Sequence, residues 1–105
     1  MEDVSDAILS CIESGLSEYG NSVPGMVFWN FEHRTKLSRK EICLRPDLFS
    51  QTLRHTFVES SLLIERKVVA EVALKFNLPE RDYHGFVDVM EELNLRIGTL
   101  RKSLS

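Results

Sequence analysis

Tyr83, Phe86, Met90, Leu93, Ile97, Leu100 and Leu104 follow one another at steps of three, four, three, four, three and four residues. That spacing places all seven on one seam of an α-helix, because side chains three and four positions apart share a face and those one or two apart do not. A strict seven-residue repeat suits a helix wound along a partner helix better than one lying on a flat core. Gly98 interrupts the segment and costs about 1 kcal/mol relative to alanine, so the helix is expected to need a partner to stay ordered. No Asn-Gly or Asp-Gly hairpin turn occurs anywhere in the chain, and the expectation is an all-α fold.

Three prolines, Pro24, Pro46 and Pro79, each fall where an apolar period restarts. Proline is tolerated in the first turn of a helix, where its missing N–H would have had no partner, so the three mark three expected helix starts. Upstream of them, Val4, Ile8, Cys11, Ile12, Gly15, Leu16 and Tyr19 predict a first helix over about residues 3–19, stopped by Gly20-Asn21. Ser22 reads as the N-cap of a second helix whose Val23, Met26, Val27, Phe28, Trp29 and Phe31 are apolar on most faces, which predicts central burial. Ser38 and Glu41 fit a capping box for a short turn that must end by Arg45, the residue before Pro46. A third helix runs from Pro46 to about Phe57 and a fourth from Ser60 or Ser61 to about Phe76. The expected core is Trp29, Phe31, Phe49, Leu53, Phe57, Val69, Val72 and Phe76.

A folded 12.1 kDa chain exposes about 6,000 Å² where the unfolded chain would expose about 17,500 Å², enough burial for one core and too little chain for two. The expected organisation is therefore a single domain of about five helices, with residues 1–78 as the bundle and 79–105 as the long heptad-patterned helix. The longest apolar run, Met26–Trp29, is far too short to cross a bilayer. Met1-Glu2-Asp3 is acidic where a signal peptide needs basic residues, and two cysteines make no disulfide framework, so a cytoplasmic setting is expected.

Charge is distributed unevenly. Residues 1–32 hold six acidic side chains and no basic one, whereas Arg34, Lys36, Arg39, Lys40 and Arg45 follow with Glu41 alone against them. Such a stretch, which His33 adjoins, reads either as a contact for anions or nucleic acid or as a solvated loop balancing the acidic first helix. The aromatic residues Phe28, Trp29, Phe31, Phe49, Phe57 and Phe76 read either as a core or as a small-molecule pocket between helices. His55 with Glu59, and His84 with Asp88, have one-turn spacing that a metal could use, but neither pair has a third ligand in sequence, and no metal is expected. Cys11 falls on an apolar stripe and Cys43 in a connecting turn, with no motif that would activate a thiolate. Glycine-rich phosphate loops are missing, and Glu91-Glu92, adjacent on a helix, splay apart. Neither a catalytic residue nor a cofactor is expected.

The run from Val27 to Phe76 carries Phe28-Trp29-Asn30-Phe31-Glu32, a hinge from Leu37 to Phe49 containing Ile42 and Pro46, then Phe57, and then Ile64-Glu65 to Val69. It resembles the fifth type of the Nitrosopumilus output domain, a small archaeal family with an aromatic helix, a hinge ending in proline and phenylalanine, and an Ile-Glu helix. Val58 and Ser60 stand where that pattern has glycine, and the heptad segment lies outside it. The resemblance implies an archaeal cytoplasmic output or interaction module without an assigned catalytic residue. It also implies core or cap roles for Trp29, Phe31, Glu32, Ile42, Pro46, Phe49, Phe57 and Glu65.

Together these readings predict a non-enzymatic signalling output or protein-interaction module. It would form a homodimer through Tyr83, Phe86, Met90, Leu93, Ile97, Leu100 and Leu104, and could engage a protein partner; the competing arrangement folds the same seam back on the first and fourth helices of its own chain. The alternatives are a nucleic-acid-associated regulator using residues 34–45 and a small-molecule sensor with an aromatic pocket.

Overall fold

A computed structural model describes the backbone of residues 3–104 and the side chains of residues 3–97. Five α-helices, α1 (Val4–Ser17), α2 (Val23–Thr35), α3 (Pro46–Thr56), α4 (Ser61–Lys75) and α5 (Phe86–Leu104), are joined by short connections, with a 3₁₀ turn at Arg39–Cys43; no strand occurs among the described residues.

Local chemistry sets most of the boundaries. Asp3 caps α1, its Oδ1 accepting from the Asp6 N–H at 2.8 Å, which satisfies one of the donors a helix start leaves open. Gly20, at φ +140°, then turns the chain in a region that side chains disfavour. Pro24 and Pro46 sit in the first turns of α2 and α3, as their geometry favours. Ser38 caps the 3₁₀ turn, accepting from Lys40 N–H at 3.3 Å, and Glu32 Oε2 takes the neighbouring Arg39 N–H at 3.1 Å.

The helices enclose one core. Ile8, Ile12 and Leu16 of α1, Val27 and Phe31 of α2, Ile42, Phe49 and Leu53 of the middle, and Val68 and Val72 of α4 are fully enclosed. α1 lies closely along α4: a Cβ on Gly15 would stand 3.3 Å from Val68 Cα, so glycine there permits the approach. Phe31, Phe49, Leu53, Val69 and Val72 are buried as expected, and Phe57 and Phe76 are partly buried against the core.

Three expectations are corrected. Trp29 is not core: it is 60% exposed, and Met26 is also exposed, because α2 buries one stripe, Pro24, Val27, Phe28 and Phe31, and turns its other apolar residues outward. Pro79 starts no helix. Asn77 adopts a left-handed φ of 52°, the Leu78 N–H bonds back to Ala73 O at 2.9 Å, and a loop runs to Phe86 before α5 begins. Lastly, Phe86, Met90 and Leu93 are buried by α3 and α4 of their own chain. The first half of the seam therefore finds its partner helices in cis and presents no face to a second copy. Ile97 is partly buried and Tyr83 is half-buried in the loop; Leu100 and Leu104 lie outside the described side chains.

Candidate functional site

The loop between α4 and α5 is tightly tied. The Tyr83 hydroxyl donates to Pro79 O at 2.8 Å, and the Arg81 guanidinium stacks over the Tyr83 ring at 4.1 Å. Arg81 also grips both oxygens of Asp88 at 3.1 and 3.0 Å, while the His84 N–H donates to Asp88 Oδ2 at 2.9 Å. These hydrogen bonds, Arg81 foremost, hold the Asp88 carboxyl down at about 2. Asp88, whose one-turn spacing from His84 a metal could have used, is occupied by Arg81 and by the His84 backbone. Glu59 lies beyond the end of α3, in the turn before α4, instead of a helical turn from His55. Among the described residues no three His, Cys, Asp or Glu side chains converge as metal ligands would.

This loop and α4 enclose a cleft of about 840 Å³, walled by Leu62, Arg66, Ala73 and Leu74 on one side and Pro79 and Tyr83 on the other. α4 is apolar on both sides. Ile64, Val68, Val69 and Val72 face inward, and Leu62, Leu63 and Leu74 stand 57, 64 and 81% exposed on the outer side around Ala70. Arg66 and Lys67 flank these leucines, so the outer side is an apolar row edged by charge among the described residues. At 100° per residue Leu63, Ala70 and Leu74 fall opposite the inward stripe, whereas Leu62 lies at its edge beside Val69; reading Leu62 and Leu63 as part of the inward apolar face overlooks this row.

A second cleft, of about 410 Å³, is lined by Ser50, Arg54, Glu65, His84 and Gly85. Its floor is the one carboxylate buried among the described residues. Glu65, 9% exposed, accepts on Oε2 from the Ser50 hydroxyl at 3.0 Å and from the Phe86 N–H at 2.7 Å. α5 covers Glu65, which caps its first turn. With the Ser50 hydroxyl donating to the carboxylate and the same oxygen capping α5, the pair ties α3, α4 and α5 together.

The basic stretch is partly neutralised. Arg39 pairs with Glu32 at 3.2 Å and lies over the Phe28 ring at 4.8 Å, and Arg45 pairs with Asp47 at 3.2 Å. Each arginine's hydrogen bonds hold its partner carboxyl below the usual range. Arg34, Lys36 and Lys40 are exposed and make no ion pair among the described residues. Arg34 and Arg45 share a cleft of about 350 Å³ with Gln51.

Cys11 is buried on α1, and burial pushes the half-buried Cys43 thiol up, away from the thiolate that nucleophilic chemistry needs. The aromatic side chains do not assemble a pocket around Trp29, which faces outward; Phe49 instead packs tilted against Phe86 with ring centres 4.8 Å apart. No helix among the described residues is long and apolar enough to cross a membrane. Compared with protein-family profiles, with curated proteins and with solved structures, the chain has no match.

Proposed function

We propose that this chain is a non-enzymatic, all-α interaction module that self-associates through the outer face of α4. The observation behind this reading is the row Leu63, Ala70 and Leu74, exposed on a helix whose other side is already packed. The proposed occupant is a second copy, because the face complements itself. A two-fold axis crossing α4 midway sets Leu63 of one copy on Leu74 of the other, with small Ala70 letting the backbones approach. In the same arrangement Lys67 stands beside the partner copy's Glu71 on one flank, so opposite charges meet where like charges would oppose pairing. Within the chain Lys67 already pairs with Glu18 at the end of α1 at 3.2 Å and with Glu71 at 3.5 Å, so a partner copy's Glu71 would join an existing cluster of opposite charges.

The seam on α5, the surface first expected to dimerise, is left with little to offer, since Phe86, Met90 and Leu93 serve the chain's own core. A role as a signalling output is what the resemblance to the archaeal output domain implies, and a dimer suits a module that reports the state of an attached or neighbouring sensor.

Sedimentation of the wild type from micromolar to high micromolar concentration tests the reading. A concentration-dependent dimer is expected, with Leu63→Glu plus Leu74→Glu sedimenting as a monomer of unchanged helix content. A monomeric wild type at high micromolar concentration, or a double variant that still dimerises, overturns it.

A further inference from the structure

The chain's one tryptophan stands in solvent on α2 and is not alone there. The Trp29 ring stacks on His33 with centres 4.7 Å apart and planes 8° from parallel, and Trp29 remains 60% exposed. One indole face is therefore taken by the imidazole, and much of the ring is left to water. Arg34, beside His33, and Lys36, the residue that ends α2, are both exposed at the same end of the helix. Neither cation is spent on an ion pair among the described residues. Glu32, the acidic residue of α2, points its carboxylate away to Arg39, with oxygens 3.2 and 3.4 Å from the guanidinium nitrogens. Asn30 Nδ2 donates to Thr56 Oγ1 at 3.2 Å, which draws the last turn of α3, with exposed Arg54 and His55, alongside the same face.

An aromatic platform edged by unpaired cations is what single-stranded nucleic acid requires: a flat ring for an unpaired base and positive charge for the phosphates on either side of it. We propose that the Trp29–His33 face binds single-stranded nucleic acid, one base stacking on the indole while the adjoining phosphates meet Arg34 and Lys36. A duplex does not suit this face, because its bases are already covered by their neighbours. Binding would tolerate any sequence, since every base has a π face. The site is separate from the α4 surface, and neither proposal depends on the other.

Because Trp29 is the only tryptophan, its fluorescence reports this site directly. The full chain is titrated with a 15-nucleotide oligo-dT and with oligo-U. Saturable quenching is expected in 50 mM salt. Two phosphate contacts on a single strand predict an affinity about sevenfold weaker at 200 mM, from a salt slope of about −0.7 per contact. By anisotropy of a labelled oligo-dT, Trp29→Ala should bind about tenfold or more weaker, as should Arg34→Ala with Lys36→Ala, at unchanged circular dichroism. The Leu63→Glu, Leu74→Glu variant should bind as wild type does. Absence of saturable quenching at 100 µM oligonucleotide in 50 mM salt, equal quenching by a duplex of the same length, or wild-type affinity in either platform variant overturns the proposal.

Discussion

The backbone N–H of Phe86 donates to Glu65 Oε2 at 2.7 Å, so the first residue of α5 is capped by a side chain from the middle of α4. Helix starts leave N–H groups without partners, and a carboxylate there also meets the positive end of the helix dipole. Burying a carboxylate without such partners would be costly; here the cap and the Ser50 hydroxyl make burial tolerable. Gly85 completes the arrangement, since a Cβ on it would lie 2.5 Å from the same oxygen. Any side chain at position 85 would have to displace this carboxylate oxygen from the cap.

Removing the cap should therefore be costly, and removing the glycine should act through the cap. Glu65→Ala leaves the Phe86 N–H buried without an acceptor and is expected to lose about 3 kcal/mol, read as a lower urea midpoint at unchanged slope. Glu65→Gln keeps an acceptor and should lose much less. Gly85→Ala should lose about 1–3 kcal/mol in the wild-type background. Combined with Glu65→Ala, it should lose far less than that again, because the atom it strikes is gone. Strict additivity of the two would refute the linkage.

The approach of α1 to α4 at Gly15 makes a separate prediction. Alanine at this position gains helix propensity but presses its Cβ against Val68 Cα at 3.3 Å, so the two effects oppose and the net change should be small. Gly15→Val has no such compensation: its branches need space that α4 occupies, and a loss of about 2–3 kcal/mol is expected from thermal or urea unfolding. A valine variant as stable as wild type would mean that α1 does not lie this close.

Acid should weaken the fold through Asp88. Its carboxyl is held at about 2 in the folded chain by Arg81, against about 3.9 in an unfolded one. A depressed folded value means that the contribution is complete above the unfolded value and disappears as pH falls through the folded one. Urea midpoints should therefore drop between about pH 4 and pH 2, and Asp88→Asn should flatten that limb while lowering the midpoint at pH 7. Glu32 and Asp47, lowered by Arg39 and Arg45, add to the same limb. All three pairs are substantially exposed, so high salt should reduce the effect.

What could be read in advance follows from how local each signal is. The α3 start at Pro46, the α4 cap at Ser60 and the short turn after Ser38 depend on residues within a few positions of one another, and the sequence displays them directly. Which side of α2 faces inward depends on where α1 and α3 lie, so Trp29, apolar and flanked by apolar residues, reads as core although it faces solvent. Pro79 misleads for a related reason: its carbonyl is taken by the Tyr83 hydroxyl, and Asp88 anchors Arg81 and His84 to hold the loop open, a set of contacts that no proline rule contains. The partner of Glu65 is not local: from residues 64–66 alone nothing shows that the start of α5, residue 86, supplies the N–H it accepts.

Lys36 offers a case where stability and binding should move in opposite directions. It ends α2 in the left-handed region, φ 62° and ψ 15°, with its N–H returning to Glu32 O at 3.0 Å. A residue with a Cβ pays about 1–2 kcal/mol to adopt that conformation, and glycine pays almost none. Glycine in turn gives up about 0.4–1 kcal/mol through the freer unfolded chain, so Lys36→Gly should stabilise by up to about 1 kcal/mol. A β-branched residue fits the left-handed region worst, and Lys36→Val should destabilise by a comparable amount. If Lys36 also meets phosphate beside Trp29, the glycine variant will unfold at higher urea yet bind oligo-dT more weakly and with a shallower salt dependence. A glycine variant that is more stable and binds with the wild-type salt slope would leave the helix cap as the only role for this lysine.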